Sequence, residues 1–239
     1  MSGDEVSGRA DGRRARWEQH NSERRRQILD AAVAVLESSP PGAEIHVRQI
    51  ADRAGVGRPV VYRYFSDRAD LDRAVQAHVL DMLRDAVAAQ VSLSGTVEQI
   101  IRRIVGGYVG WAATHPALHR VAEQDRSGGS DVGELEVVVK QIVDLVAELF
   151  TTAMELLHVE LDEDDLAALD PLIFGLVGQV FGAVRRWLWR PERKPSADVL
   201  ADALARAIWH EISGLAADRG VHLDPAMPLD DLLLNTLAE

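Results

Sequence analysis

The chain of 239 residues is long enough to form one large domain or two small ones around a substantial core. It contains no cysteine, which excludes a disulfide scaffold, a thiolate metal site and a cysteine nucleophile. Its first residues lack the hydrophobic segment of a secretory signal, and no run approaches 18 consecutive apolar residues. We therefore expect a soluble cytoplasmic protein with no membrane span and no membrane partner.

The charge is distributed unevenly along the chain. The net charge of −12 conceals a first part, residues 1–75, in which thirteen arginines balance twelve acidic residues. Residues 76–239 carry thirteen basic and twenty-six acidic residues. This asymmetry suggests two functions in one chain. Seven of the arginines fall within residues 9–26, a segment that can be either a solvated tail or a nucleic-acid contact.

The first part of the chain is predicted to contain a flexible arm and four helices. Residues 1–20 include several glycines and show no apolar period, which predicts a flexible arginine-rich arm. Asn21 or Ser22 is expected to cap a helix that ends at the Ser-Ser-Pro-Pro-Gly sequence of residues 38–42. The apolar spacing then predicts short helices at 47–54 and 58–65, and a longer one from a cap at Ser66 or Asp67 to about 91.

Helical periodicity continues through the rest of the chain, without the alternation typical of a β-strand. Pro171 lies inside one of these patterns, so that helix is expected either to kink there or to begin with Asp170 as its cap. The sequence therefore predicts an all-α fold. Its further helices are expected at residues 96–114, from Pro116, at about 132–158, from 162 or 170 to 189, and at 196–219.

Residues 47–71 combine a short helix, a glycine-bearing turn and a second short helix, which is the pattern of a helix-turn-helix. Gly55 allows the left-handed conformation of the turn. Pro59 fits the first turn of the second helix, where its missing amide proton is not needed. Because the second helix of such a motif lies in the major groove, these residues indicate a three-helix DNA-binding domain.

The same residues resemble the DNA-binding domain of the TetR/AcrR family of bacterial regulators. The resemblance rests on Ile-Ala-x-x-Ala-Gly-Val at 50–56, Val-Tyr-x-Tyr-Phe at 61–65 and Asp-Arg-x-x-Leu at 67–71. It implies a ligand-responsive transcriptional regulator, expected to be a repressor, that binds a palindromic double-stranded DNA operator as a homodimer. The implied organisation is an arm at 1–20, a helix-turn-helix domain at 21–67, a helical effector-binding and dimerisation domain at 68–220, and a tail at 221–239.

The resemblance also implies which residues contact DNA. Arg48 is expected at a phosphate or a base edge, and Arg68 at the backbone from the start of its helix. The tyrosine hydroxyls are expected at phosphates, and Arg58 can bind guanine through two hydrogen bonds. The chain departs from the family pattern at Gly57, Pro59 and Val60, where the family more often has serine or threonine, glycine or alanine, and threonine or serine. The expected set is Arg48, Arg58, Pro59, Val60, Tyr62, Tyr64 and Arg68, with Arg13, Arg14 and Arg16 of the arm as auxiliary contacts.

In the resembled family the helices after the motif hold a small-molecule effector and form the dimer. The last two long helices, at about 170–189 and 196–219, would pack against their mates as a four-helix bundle. Glycines at 106, 107 and 110 leave room either for a cavity or for close helix packing. The expected effector is hydrophobic, and its expected pocket residues are Tyr108, Trp111, Phe150, Met154, Phe174 and Phe181.

The sequence leaves three alternatives to a ligand-responsive repressor: a ligand-independent DNA-binding protein, a transcriptional activator and a helical enzyme. The acidic second part argues against the first of these, since such a protein gains affinity from positive charge. His115 and His119 are four residues apart and can face one metal ion, but no third ligand is visible and His115 also fits as the cap before Pro116. The chain has no phosphate loop, dinucleotide fingerprint, nucleophile elbow or HExxH motif. We expect no catalytic activity, no cofactor and no metal site.

Overall fold

The structure is a computed structural model, and it describes residues 4–40, 43–124, 133–156, 162–218, 220 and 222–229. Most of the predicted tail lies outside these ranges. The described residues form nine helices and no strand, which confirms the predicted all-α fold. The helices are α1 (Asp4–Ser38), α2 (Val47–Arg53), α3 (Arg58–Tyr64), α4 (Arg68–Ala88), α5 (Val97–Thr114), α6 (Pro116–Ala122), α7 (Glu134–Leu156), α8 (Glu163–Leu188) and α9 (Ala197–Asp218).

The first helix is longer than predicted. Because α1 begins at Asp4, residues 4–20 of the segment predicted as a flexible arm are helical, and the predicted start at Asn21 or Ser22 is wrong. No proline interrupts the chain before Pro40, and the arginines, glutamates and alanines of this segment are good helix formers. The arginine-rich segment is therefore an N-terminal extension of α1.

The second half of α1 packs with α2 and α3 around a small apolar core. Ile28, Val61 and Phe65 are fully buried there, and the small Ala51 lets the helices approach closely. The Gln27 side chain donates a hydrogen bond of 3.1 Å to the carbonyl that precedes the α2–α3 turn. These contacts confirm the three-helix arrangement predicted for the first part of the chain.

α4 connects this bundle to the larger helical part. Its first turn is fixed by Asp67, whose carboxylate accepts a hydrogen bond of 2.7 Å from the Asp70 amide. α4 then packs against α1, α5, α6 and α7, while α5 runs along α9 and α7 packs against α8. One apolar core extends from α1 to α9. A shift of α4 would therefore disturb the packing of both the three-helix bundle and the larger helical part.

α8 runs through Pro171. Asp162 caps it by accepting a hydrogen bond of 2.8 Å from the Asp165 amide, so the alternative start at Asp170 is wrong. By length and composition, α8 is the one helix among the described residues that is apolar enough to cross a membrane. Only 17% of its most apolar 18-residue window is buried, so α8 presents a largely uncovered apolar surface.

Candidate nucleic-acid interface and ligand cavity

The turn between α2 and α3 sets the direction in which α3 projects. Gly55 has a φ of +66°, a conformation that a side chain at this position would strain. The Val56 amide closes the turn with a hydrogen bond of 3.0 Å to the Ala51 carbonyl. Pro59 occupies the first turn of α3, as the sequence predicts. With Val61 turned inward, the opposite face of α3 is presented to solvent.

A groove of about 470 Å³ lies between α2, α3 and the start of α4. It contains four of the seven residues that the sequence predicts for DNA contact, and it also contains His46 and Gln49, which the sequence analysis missed. These two form the capping box of α2, a pattern that places them at the groove edge. The lining residues are His46, Val47, Arg48, Gln49, Arg58, Tyr62 and Arg68.

The predicted contact residues differ in their exposure and in their hydrogen bonds within the protein. Arg58 lies over the Tyr62 ring, 5.7 Å from its centroid, and both side chains are exposed. Arg48 is exposed as well, with its guanidinium 3.7 Å from Asp52. Arg68 is engaged inside the protein, because it donates to the Ile45 carbonyl at 2.6 Å and to Asp72 at 2.8 Å.

The remaining predicted contacts lie beside the groove. Pro59 is exposed, Val60 is half-buried, and Tyr64 is half-buried against the core of the bundle. The side chains of Arg13, Arg14 and Arg16 fall outside the described part of the structure. Arg48, Arg58 and Tyr62 are therefore the predicted residues that are both exposed and within the groove.

A second cavity, of about 150 Å³, lies between α5, α7, α8 and α9. Its walls are almost entirely apolar, and the Tyr108 hydroxyl is the polar group among the side chains that line it. Four of the six predicted pocket residues are there: Tyr108, Phe150, Met154 and Phe181. Further walls come from Ile100, Ile104, Leu149, Val177, Val180 and Ile208.

Two predicted pocket residues lie elsewhere. Trp111 is one turn beyond Tyr108 on α5, where it is buried against the His115 ring at 5.6 Å. Phe174 is 48% exposed on α8, because its neighbour Ile173 takes the position that faces the core. Gly107 packs closely against Gln90 and does not border the cavity, which favours the close-packing interpretation for this glycine.

A buried polar cluster adjoins the cavity at Tyr108. The Tyr108 hydroxyl lies 2.7 Å from His119 Nε2, and the Tyr108 ring stacks on the Phe181 ring with 4.6 Å between the ring centroids. His119 Nδ1 faces Glu123 at 3.7 Å, and Arg185 of α8 approaches the other carboxylate oxygen of Glu123 at 3.7 Å. From the sequence, His119 was considered only as a metal ligand, because its hydrogen-bond partner Tyr108 lies on a different helix.

Burial controls the protonation of this cluster. It raises the pKa of the Tyr108 hydroxyl and the pKa of Glu123, and together with the nearby Arg185 it lowers the pKa of His119 to about 4. His119 is therefore neutral at pH 7 and accepts or donates a single hydrogen bond at each nitrogen. His119 Nε2 hydrogen-bonds to the Tyr108 hydroxyl, whereas His115 Nδ1 hydrogen-bonds to Glu37 of α1. The two histidines therefore have different partners.

The pH dependence of stability follows from His119. Its pKa is about 4 in the folded chain and about 6.5 when unfolded, so the unfolded state gains a proton first and stability is lost as the pH falls from 6.5 towards 4. The expected loss between pH 7.5 and pH 5 is about 2 kcal/mol. The raised pKa of Glu123 acts in the opposite direction at the acidic end. Urea unfolding at both pH values checks this, and His119→Gln should remove most of the difference; an equal loss in that variant would exclude His119 as the cause.

α6 lies between the cavity and the helices that lead to the groove. Gln76 of α4 donates hydrogen bonds to the Ala122 and Gln124 carbonyls at the end of α6, at 3.3 and 2.5 Å. At the other end of α6, His115 pairs with Glu37 of α1. α6, which carries His119, therefore lies in direct contact with both α1 and α4.

α8 and α9 both carry exposed apolar side chains, and α8 also carries exposed glycines. Leu172 and Phe174 on α8 and Val199 on α9 are large exposed apolar side chains. A Cβ built on Gly175, Gly178 or Gly182 of α8 meets no atom within 4 Å. The surface of α8 is therefore open at these three glycines in a single chain.

Known proteins resemble the chain in sequence and fold. The family model described as bacterial regulatory proteins, tetR family, matches residues 28–75. An uncharacterised HTH-type transcriptional regulator of Mycobacterium tuberculosis (strain H37Rv) is 27% identical over 90% of this chain and 88% of its own length. The HTH-type transcriptional repressor LfrR of Mycolicibacterium smegmatis is 36% identical over 48% of this chain and 61% of its own. A tetR-family transcriptional regulator from Streptomyces coelicolor has the same fold, with a TM-score of 0.63, 21% identity and coverage of 91% and 89%.

Proposed function

Since this chain belongs to the TetR family of bacterial regulatory proteins, we propose that it is a cytoplasmic transcriptional repressor that an apolar small molecule releases from DNA. DNA-binding transcriptional regulation is the function of its relatives. The observation that carries the proposal is the groove between α2 and α3, where Arg48, Arg58 and Tyr62 meet on one exposed surface. The name of LfrR, a repressor, supports repression over activation.

The operator is a palindrome bound by a homodimer. A two-fold protein places its two recognition helices in successive major grooves, about 34–36 Å apart. The exposed apolar residues Leu172 and Phe174 on α8 and Val199 on α9 support a dimer, because packing against a second copy would remove such side chains from water. The same dimer contact explains why so little of α8 is buried in a single chain, and this explanation requires no membrane.

The effector binds in the cavity around Tyr108. Its walls are apolar, so a hydrocarbon or aromatic group is favoured and a polyanion such as a free nucleotide is disfavoured. A ligand that shifts Tyr108 disturbs the contact with His119 on α6, and α6 in turn contacts Gln76 of α4 and Glu37 of α1. A coupling of about 1–3 kcal/mol through this route would lower operator affinity roughly 5- to 150-fold.

The test of this function is fluorescence anisotropy with the DNA upstream of the chain's own gene, against a scrambled fragment of equal length. We expect tighter binding to the native fragment and a linear fall of log affinity with log salt concentration, since arginines in the groove displace counterions from phosphates. Equal affinity for both fragments at every salt concentration would contradict specific operator binding.

A further inference from the structure

The tail after α9 returns to the cavity and forms part of its wall. Leu223 and Leu229 both line the cavity, and Leu229 is only 2% exposed. The Leu229 amide donates a hydrogen bond of 2.9 Å to the Gly95 carbonyl just before α5. Beside it, Pro228 forms an isolated antiparallel bridge with Thr96. The tail therefore docks on the start of α5, more than 130 positions earlier in the chain.

Leu229 fills a separate part of the core. Its buried neighbours are Ile100 of α5 and Ala153 of α7, and Leu93 and Leu149 pack around them. This cluster does not belong to the continuous core that joins α1 to α9. Removing Leu229 would therefore enlarge the cavity between α5 and α7 and leave the main core in place.

Among the described residues of the tail, 222–229, few contacts join the segment to the body. Pro225 and Pro228 have no amide proton, and two hydrogen bonds of the segment are internal, from the amides of Ala226 and Met227 to Asp224. The contacts described above that join it to the body are the Leu229 hydrogen bond, the bridge and the burial of two leucines. Segments held by few buried contacts open more readily than the core.

The volume of the cavity limits the size of the ligand that it can hold while the tail is docked. A volume of about 150 Å³ lined by apolar side chains holds a benzene-sized molecule, whereas pockets for drug-sized ligands measure about 300–1,000 Å³. We propose that Leu229 is the specificity-determining residue of the cavity: with Leu229 in place the cavity admits a small apolar effector, and a longer uncharged alkyl compound binds only by displacing it. The proposal rests on the effector site proposed above.

The experiment compares 1-decanol, a long apolar probe, with toluene, a small one, by titration calorimetry on the full chain. Leu229→Ala removes most of the side chain that decanol has to displace, so decanol is expected to bind about tenfold more tightly to this variant. Toluene should bind with unchanged or lower affinity. Met227→Ala is the matched control, because Met227 lies in the same segment, is 41% exposed and does not line the cavity.

Amide hydrogen exchange of the unmodified chain gives a second readout that needs no variant. Decanol is expected to accelerate exchange at the Leu229 amide by breaking its bond to Gly95, and toluene is expected to leave it protected. If decanol binds equally to all three proteins and Leu229 stays protected, the tail is not displaced, and only this inference fails. If neither probe binds any of them, the effector site fails as well, while operator binding is judged by its own anisotropy measurement.

Discussion

Replacing Arg58 by alanine is expected to weaken operator binding by about 1–3 kcal/mol, which is roughly 5- to 150-fold in Kd. Arg58 begins α3, lines the groove and is exposed, so its guanidinium can reach a base edge when α3 enters the major groove. The loss should be largest on the native operator and small on scrambled DNA, because a base contact contributes to specificity.

Tyr62→Ala is expected to weaken binding by a similar amount through a different contact. Tyr62 is exposed in the groove, so its hydroxyl can bond a phosphate when α3 enters the major groove, and a hydrogen bond to a charged group contributes about 1.5–3 kcal/mol. Arg58 lies over the Tyr62 ring, so each side chain holds the other in position. The double variant should therefore lose less affinity than the sum of the single losses.

The matched control for Arg58 is Arg102→Ala. Arg102 is an exposed arginine on α5, paired with Asp202 at 2.9 Å, and it lies outside the groove. Its removal changes the net charge by the same amount, so any general electrostatic effect appears in both variants. Anisotropy titrations of all four variants, with oligomeric state checked by light scattering, measure the difference. Unchanged affinity in both Arg58→Ala and Tyr62→Ala would overturn the assignment of α3 as the recognition helix.

The groove could be predicted from the sequence because its parts are close together in the chain. Turn and cap signals at Gly55, Pro59 and Asp67 fix the helices over some fifteen residues, and these signals act locally. Once α2 and α3 are placed, Arg58 and Tyr62 must share one face. Arg68 shows where this reasoning fails, because the carbonyl of Ile45 that binds it lies 23 residues away and carries no pattern in the sequence.

The cavity was only partly predictable for the same reason. Phe150 and Phe181 were predicted from the resemblance, because they lie on the helices that hold the effector in the resembled family, and both line the cavity. His119 and Leu229 were missed, since their functions depend on contacts with Tyr108 and Gly95 that only the folded chain creates. The N-terminal extension of α1 was missed because its glycines and charges are compatible with either a helix or a coil.

Gly178→Leu is expected to give a folded monomer that has lost at least about a hundredfold in operator affinity. A side chain at this position meets open space in the single chain, and leucine has a higher helix propensity than glycine by roughly 0.8 kcal/mol or more, so the monomer should not be destabilised. In a two-fold dimer across α8 and α9, however, the substitution occurs twice near the symmetry axis. Overpacking there costs about 1–3 kcal/mol for each side chain and separates the helices.

Gly106→Leu provides the matched control. Gly106 is also a helical glycine with no atom within 4 Å of a built Cβ, but it lies on α5 and not on α8 or α9. It should remain a dimer with unchanged operator affinity. Analytical ultracentrifugation gives the oligomeric state, thermal unfolding followed by circular dichroism confirms the fold, and anisotropy gives the affinity for the full operator and for one half-site.

The oligomeric state tests the dimer interface, and the operator affinity tests the symmetry of the operator. Loss of the dimer with half-site affinity retained is the expected result, because each α3 would still enter one major groove while the energetic gain of linking two half-sites disappears. A Gly178→Leu protein that stays dimeric would show that α8 meets its partner elsewhere, and the exposed apolar surface of α8 would then need another covering partner. A monomer with full operator affinity would instead contradict the palindromic operator, since such a site requires two recognition helices at a fixed separation.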